Sequence, residues 1–145
     1  MQVQQAMTEV VLTVGPGHTL RAAAGLMAAR SVGAAIVLDP DAQGPAIITE
    51  RDILLAVGAG DDVDRELVGD HLTSELVFAT PQWPLERAAE EMIRGGFRHM
   101  VVMDGGETAG MISARDILRC WTGAGAVCDW PSPASVSAAS LAPLS

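Results

Sequence analysis

Two short stretches of this chain place a carboxylate three residues after a hydroxyl side chain. They are "IITERDIL", with Thr49 and Asp52, and "MISARDIL", with Ser113 and Asp116. At a helix start the hydroxyl can cap the first turn, and the carboxylate can return a hydrogen bond to the capping residue. The free N–H groups there suit a phosphate, whereas a carboxylate suits the two hydroxyls of a ribose. The stretches therefore predict two helix caps that could also be the two halves of a nucleotide site.

An internal repeat relates these stretches. Shifting the sequence by 65 residues aligns residues 3–39 with 68–104. Removing one residue from the turn of the first repeat then aligns 46–54 with 110–118. Nine positions of the first alignment and five of the second are identical, and apolar positions match apolar positions through most of the overlap. A period of this length indicates that one structural unit occurs twice.

The elements that must position the two motifs follow the same order in each repeat. Continuous apolar runs bounded by turn residues predict strands, and apolar residues at helical spacing predict helices. Thr19 is suited to cap the first helix, and Pro84 suits the first turn of its counterpart. The predicted strands are residues 10–14, 34–38 and 46–48 in the first repeat, and residues 76–79, 100–103 and 110–112 in the second.

The predicted fold class is α/β (α+β), with two β-α-β-β-α units. One unit alone buries little apolar surface, so we expect the two to pack around a shared core and to be related by a pseudo-twofold axis. We expect residues 1–65 to form the first repeat with an acidic linker, and residues 66–122 to form the second. Residues 123–145 form a tail rich in Ala, Ser and Pro, in which Trp130 is a candidate contact with a partner subunit.

Composition argues against several classes of function. The net charge is −9, only 3% of residues are aromatic, and there is no Lys, so neither a basic face nor a stacking platform for nucleic acid is expected. The chain lacks a signal-peptide pattern and an apolar run of the ~18 residues that a membrane span needs. We expect a soluble cytoplasmic protein with reduced thiols and with no nucleic-acid or membrane partner.

The tandem unit, closed in each copy by the pattern [G/A]-h-h-[S/T]-x-x-D (h, apolar), resembles the cystathionine-β-synthase (CBS) domain pair, or Bateman module. The resemblance covers about residues 3–121. It implies two repeats packed through their sheets, with two clefts that bind adenine nucleotides or adenosyl compounds as regulatory ligands. It also implies a homodimer that acts on an effector protein, which the sequence does not name, and it implies no required cofactor.

The resemblance further implies that the two clefts are unequal. The first would centre on Ser113 and Asp116, whose equivalents in the family contact ribose and phosphate. Its other members would be Arg98 and His99 on the phosphate side, and Leu12, Val32 and Gly33 on the adenine side.

The second cleft would centre on Thr49 and Asp52. Its adenine side would be Val77, Phe97 and Arg98, whereas the positions equivalent to Arg98 and His99 are Gly33 and Ala34, which carry no charge. A phosphate there would rely on helix N–H groups, on Arg51 or on a neighbouring subunit. We therefore predict that the Ser113/Asp116 cleft is the better nucleotide site.

The sequence contains no catalytic motif of the G-x-S-x-G, H-E-x-x-H or P-loop type, so we do not predict an enzyme. Three alternatives stay open at this stage. The chain could be a structural or interaction dimer with vestigial clefts, in which Arg98 and His99 are an ordinary solvated pair. It could be a zinc-linked stress protein using Cys120 and Cys128, although their spacing is unusual for zinc and we predict no metal site. An enzyme acting on a nucleotide is the third.

Overall fold

The computed structural model describes residues 1–123, and the rest of the tail, with Cys128 and Trp130, lies outside the described residues. The first half contains α1 (Val3–Ala6), β1 (Thr13–Val14), α2 (Leu20–Arg30), β2 (Ala34–Val37), β3 (Ala46–Thr49) and α3 (Glu50–Gly58). The second half contains a 3-10 turn (Val68–Asp70), α4 (Leu85–Gly95), β4 (His99–Asp104), β5 (Glu107–Ser113) and α5 (Ala114–Gly123).

The strands form two sheets of similar topology. In the first sheet β1 is parallel to β2, and β2 pairs antiparallel with β3, placing Ile36 opposite Ile47. In the second sheet β4 and β5 form an antiparallel hairpin, placing Val101 opposite Met111. A single parallel bridge between Ala79 and Val102 stands where β1 stands in the first sheet. The β-α-β-β-α order is therefore present twice, but the strand predicted over residues 76–79 is reduced to one residue.

Successive strand side chains point to opposite faces, and both faces of each sheet carry buried side chains. In β2, Ala35 and Val37 pack into the core of the first repeat, whereas Ala34 and Ile36 face the other sheet. The cluster between the sheets consists of Ala34, Ile36, Ile47, Val101 and Met111. It draws on both repeats, which confirms the predicted fold class and the packing of the repeats through their sheets.

Each repeat begins with a lead segment, residues 1–12 or the equivalent residues 66–77, and the first part of each lead segment packs on the other repeat. Thr8 exchanges two backbone hydrogen bonds with Met111 of β5, and Thr73 exchanges two with Ile47 of β3, with N–O distances of 2.8–3.0 Å. Val3 is fully buried in the core of the second repeat, and Val68 is fully buried in the core of the first. The chain must therefore cross between the sheets after each of these contacts.

This crossing explains why the first strand of each repeat is short. Residues 10–14 were predicted to be extended, but only Thr13–Val14 form a strand; Leu12 contributes its carbonyl to Ile36 N–H at 2.9 Å. A strand entering at a sheet edge gains hydrogen bonds from one neighbour only.

Among residues 1–123, every helix is too short or too polar to span a lipid bilayer.

Candidate functional site

Both sequence motifs form reciprocal helix caps. At the start of α3, Thr49 Oγ1 accepts from the N–H of Asp52 at 3.2 Å, and Asp52 Oδ2 accepts from the N–H of Thr49 at 2.9 Å. At the start of α5, Ser113 Oγ and Asp116 Oδ2 make the equivalent bonds at 3.1 and 2.9 Å. Each cap fixes a hydroxyl and a half-buried carboxylate at the point where a strand becomes a helix. The cap part of the prediction is confirmed at both motifs.

Thr73 adds a further hydrogen bond to one of the two carboxylates. Its hydroxyl donates to Asp52 Oδ1 at 3.2 Å from the lead segment of the second repeat. The carboxylate of Asp116 instead has Arg119 Nη1 at 3.7 Å, from its own helix. The two carboxylates therefore have different neighbours although their caps are the same.

A cavity of about 170 Å³ lies beside the Thr49/Asp52 cap, between the two repeats. The first repeat contributes the end of β3 and the beginning of α3, and the second contributes its lead segment and residues 96–101, which run into β4. The lining residues are Ile47, Thr49, Glu50, Arg51, Asp52, Thr73, Glu75, Leu76, Val77, Gly96, Phe97, Arg98, His99 and Val101. The five residues predicted for this cleft, Thr49, Asp52, Val77, Phe97 and Arg98, are all in that lining.

Arg98 contacts both motifs. Its side chain lines this cavity, and its backbone supports the start of α5 at the other motif. Its carbonyl accepts from Ala114 N–H at 2.9 Å, at the start of α5. Its guanidinium, however, has Nη2 3.7 Å from Oε1 of Glu50 at the start of α3. We expected Arg98 to serve the phosphate side of the Ser113/Asp116 cleft, and here its side chain is directed to Glu50.

His99 lies between the two motifs. It is paired with Ser113 across the β4–β5 hairpin and it also lines the cavity beside Thr49. Burial lowers the pKa of His99 from its ordinary value of 6.5; the carboxylates of Glu50 and Asp116 oppose this shift, and nearby arginines reinforce it. A neutral imidazole at this position offers hydrogen bonds but no fixed positive charge near neutral pH.

The residues predicted for the adenine side of the Ser113/Asp116 cleft have different surroundings. Leu12 is half-buried and packs against the core of the first repeat. Val32 is 40% exposed and follows the end of α2. Gly33 is close to Glu50 and His99: a Cβ on Gly33 would be 3.1 Å from Glu50 Oε1 and 3.2 Å from His99 Cε1. The ranking of the two clefts stays a prediction.

An arginine in each motif bridges the repeats. Arg51 Nη1 donates to the carbonyl of Gly96, and Arg115 Nη1 donates to the carbonyl of Ser31, both at 3.4 Å. Gly96 ends α4 and Ser31 ends α2, each in the left-handed conformation, with φ of 70° and 55°. Each guanidinium thus satisfies a terminal carbonyl of the other repeat.

Cys120 is half-buried at the edge of the core of the second repeat, and its thiol has no disulfide partner among residues 1–123. Within residues 1–123 no three His, Cys, Asp or Glu side chains are grouped in a way that could hold a metal ion. Cys128, the other thiol of the zinc alternative, lies outside the described residues.

A family model for the CBS domain matches the chain twice, over residues 3–59 and 68–123. The chain belongs to the CBS-domain family. Among curated relatives, the CBS domain-containing protein YhcV of Bacillus subtilis is 32% identical over 117 residues, which cover 79% of this chain and 81% of YhcV. Several other relatives are much longer: the chain spans 41% of the Methanocaldococcus jannaschii protein MJ1225, to which it is 30% identical. The matching family is not a catalytic one.

Solved structures with CBS domains share this fold. The hexameric CBS-CP12 protein from bloom-forming cyanobacteria is 30% identical with a TM-score of 0.75, covering 81% of this chain and 69% of that protein. The CBS domain protein PAE2072 from Pyrobaculum aerophilum, solved in complex with AMP, is 29% identical with a TM-score of 0.72, covering 85% and 99%.

Sequence reasoning missed three polar residues of the cavity, namely Glu50, Thr73 and Glu75. A signal for Glu50 is present, because "TERD" has Glu where "SARD" has Ala. The identity of Thr8 and Thr73 in the repeat also singles out Thr73. Neither signal shows which repeat the side chain contacts, because that depends on how the two repeats pack against each other.

Proposed function

We propose that this CBS-domain protein is a non-catalytic regulatory module that senses adenine nucleotides or related adenosyl ligands in the clefts between its repeats. The observation that carries the proposal is the cavity beside Asp52, where a capped carboxylate from one repeat faces apolar side chains from the other. The AMP complex of PAE2072 supports the same ligand class in a similar chain.

The residues of the cavity have separate roles in this proposal. The two hydroxyls of a ribose donate to the carboxylate of Asp52, which its cap and Thr73 hold in place. Val77 and Phe97 offer apolar surface to the adenine ring. Asp116 has the equivalent role in the Ser113/Asp116 cleft, which is our candidate for the better nucleotide site.

A ligand in such a cleft touches both repeats at once. Its affinity therefore depends on how the repeats are placed relative to each other, and by linkage its binding favours one placement. An effector protein that contacts both repeats would then bind one placement of the repeats more tightly than the other. The module thus needs no catalytic group to transmit a signal.

Thermal unfolding with a ligand panel tests the proposal. We expect AMP, ADP, ATP or S-adenosylmethionine to raise the Tm of the wild type, because a ligand that binds only the folded state stabilises it. The increase should be smaller in a variant with Asp52→Asn and Asp116→Asn. A flat response across these ligands and NADH would instead favour a structural dimer with vestigial clefts.

We further propose that the protein is a homodimer. Leu54 on α3 and Leu118 on α5 are 69% and 58% exposed, and they occupy equivalent positions of the two repeats. Exposed apolar side chains that recur in this way suit a protein interface, and CBS-CP12 is a hexamer. Light scattering on the purified protein should give twice the chain mass. Leu54→Ser with Leu118→Ser should reduce it to one chain mass, whereas the exposed control Val10→Ser should not.

A further inference from the structure

The two motifs differ at the first residue of the helix. Glu50 begins α3, whereas Ala114 begins α5, and the two positions are equivalent in the repeat. Their backbones are alike: Glu50 N–H donates to Gly33 O, and Ala114 N–H donates to Arg98 O, both at 2.9 Å. The difference between the two helix starts at this position is therefore a single carboxylate.

That carboxylate stands at the start of α3, in the lining of the cavity and beside the guanidinium of Arg98. Its Oε1 is 3.7 Å from Arg98 Nη2 and borders Gly33, where an added Cβ would be 3.1 Å from that oxygen. The N–H groups of Glu50 and Asp52 already have partners, in Gly33 O and Thr49 Oγ1. A phosphate at this helix start would therefore meet the Glu50 carboxylate, and to pair with the guanidinium of Arg98 it would have to displace that carboxylate.

The other charges around the cavity do not compensate. Its lining has the three carboxylates of Glu50, Asp52 and Glu75 against the guanidiniums of Arg51 and Arg98. The guanidinium of Arg51 is also donating to the carbonyl of Gly96. The site is thus better matched to a ligand that carries no negative charge than to an anion.

We infer that Glu50 makes the Thr49/Asp52 cleft selective for adenosyl ligands without a phosphate over phosphorylated nucleotides, while Ala114 leaves the Ser113/Asp116 cleft open to a phosphate. The inference rests on the proposed function, since it assumes that both clefts hold an adenosyl group. It assigns a specificity-determining role to a residue outside the cap itself. The Glu50–Arg98 pair is exposed, so the effect is a moderate change in affinity and not an absolute exclusion.

Calorimetric titration with adenosine and with AMP tests the inference, and Asp116→Asn in every sample weakens the other cleft. With Glu50 present, adenosine should bind more tightly than AMP. Glu50→Gln should raise the AMP affinity about three- to tenfold and change the adenosine affinity less than about twofold. Glu107→Gln removes the same charge outside the cavity lining and should change neither affinity. The gain for AMP should shrink at high salt, because mobile ions screen exposed charges.

The reciprocal variant tests the other half of the inference. In protein with Asp52→Asn, Ala114→Glu should weaken AMP binding by a similar factor and leave adenosine binding nearly unchanged. Binding of both ligands with an AMP-to-adenosine ratio that Glu50→Gln does not change would overturn the inference alone. Binding of neither ligand by any of these proteins, including the wild type, would overturn the proposed function together with it.

Discussion

The hydroxyl of Thr73 donates to the carboxylate of Asp52, 3.2 Å away, although the two residues belong to different repeats. The same carboxylate accepts from the N–H of Thr49. One bond comes from its own helix cap and the other from the segment that leads into the second repeat. The orientation of Asp52 therefore depends on the docking of the two repeats, which links the proposed ligand contact to the arrangement of the whole module.

Thr73→Val should destabilise the protein by about 1 kcal/mol, the usual contribution of a hydrogen bond that is lost without a change of shape. Val preserves the volume of Thr but cannot donate to Asp52. The free energy of unfolding is obtained from urea denaturation. Thr8→Val is the matched control, because Thr8 is the equivalent residue of the first repeat and its side chain is exposed. Equal losses in the two variants would contradict the role given to the Thr73 hydroxyl.

Gly110→Ala should destabilise the protein by about 1–3 kcal/mol, the range expected for overpacking. A Cβ on Gly110 would lie 2.4 Å from the carbonyl oxygen of Thr8, which is a backbone atom that side-chain rotation cannot move away. The substitution should loosen the N-terminal segment from β5, and hydrogen exchange at Thr8 and Met111 should report this. Gly44→Ala, with no atom within 4 Å of its Cβ, is the control and should leave stability nearly unchanged.

Stability should depend on pH through His99. Its pKa is lowered in the folded protein by burial, so below about pH 6.5 the unfolded chain binds more protons at this residue than the folded one. The free energy of unfolding should therefore fall as the pH decreases from about 6.5 toward the lower pKa of the folded state. Denaturant titrations at several pH values between about 7 and 5.5 measure this slope.

His99→Gln should flatten the slope in that interval, because it removes the group whose pKa burial lowers. An unchanged slope in His99→Gln would show that other groups produce the pH dependence. The comparison is informative even if His99→Gln lowers stability uniformly, since only the difference between pH values is interpreted.

Local features of this fold could be predicted from the sequence because their causes are local. The caps at Thr49 and Ser113 formed as predicted, since a hydroxyl and a carboxylate three residues apart satisfy each other's neighbouring backbone. The hairpins at 34–48 and 100–112 also formed, because continuous apolar runs joined by a turn have few other ways to be buried.

Features that depend on distant contacts were missed. Val3 and Val68 are identical in the repeat, yet nothing in the alignment indicates that each is buried in the core of the other repeat. The strand predicted over 76–79 is one bridge at Ala79, because the chain is crossing between sheets there. The direction of the Arg98 side chain likewise depends on Glu50, which reaches it only in the folded chain.

The central claim is that the motif carboxylates hold an adenosyl ligand, and one calorimetric comparison tests it most directly. The wild type and a variant with Asp52→Asn and Asp116→Asn are titrated with adenosine and with AMP; Asn retains an oxygen that can accept the capping hydrogen bond. We predict that the wild type binds and that the variant binds at least about tenfold more weakly, because it loses charge-assisted bonds to the ribose. Equal affinity in the two proteins, or no binding by the wild type, would contradict the account.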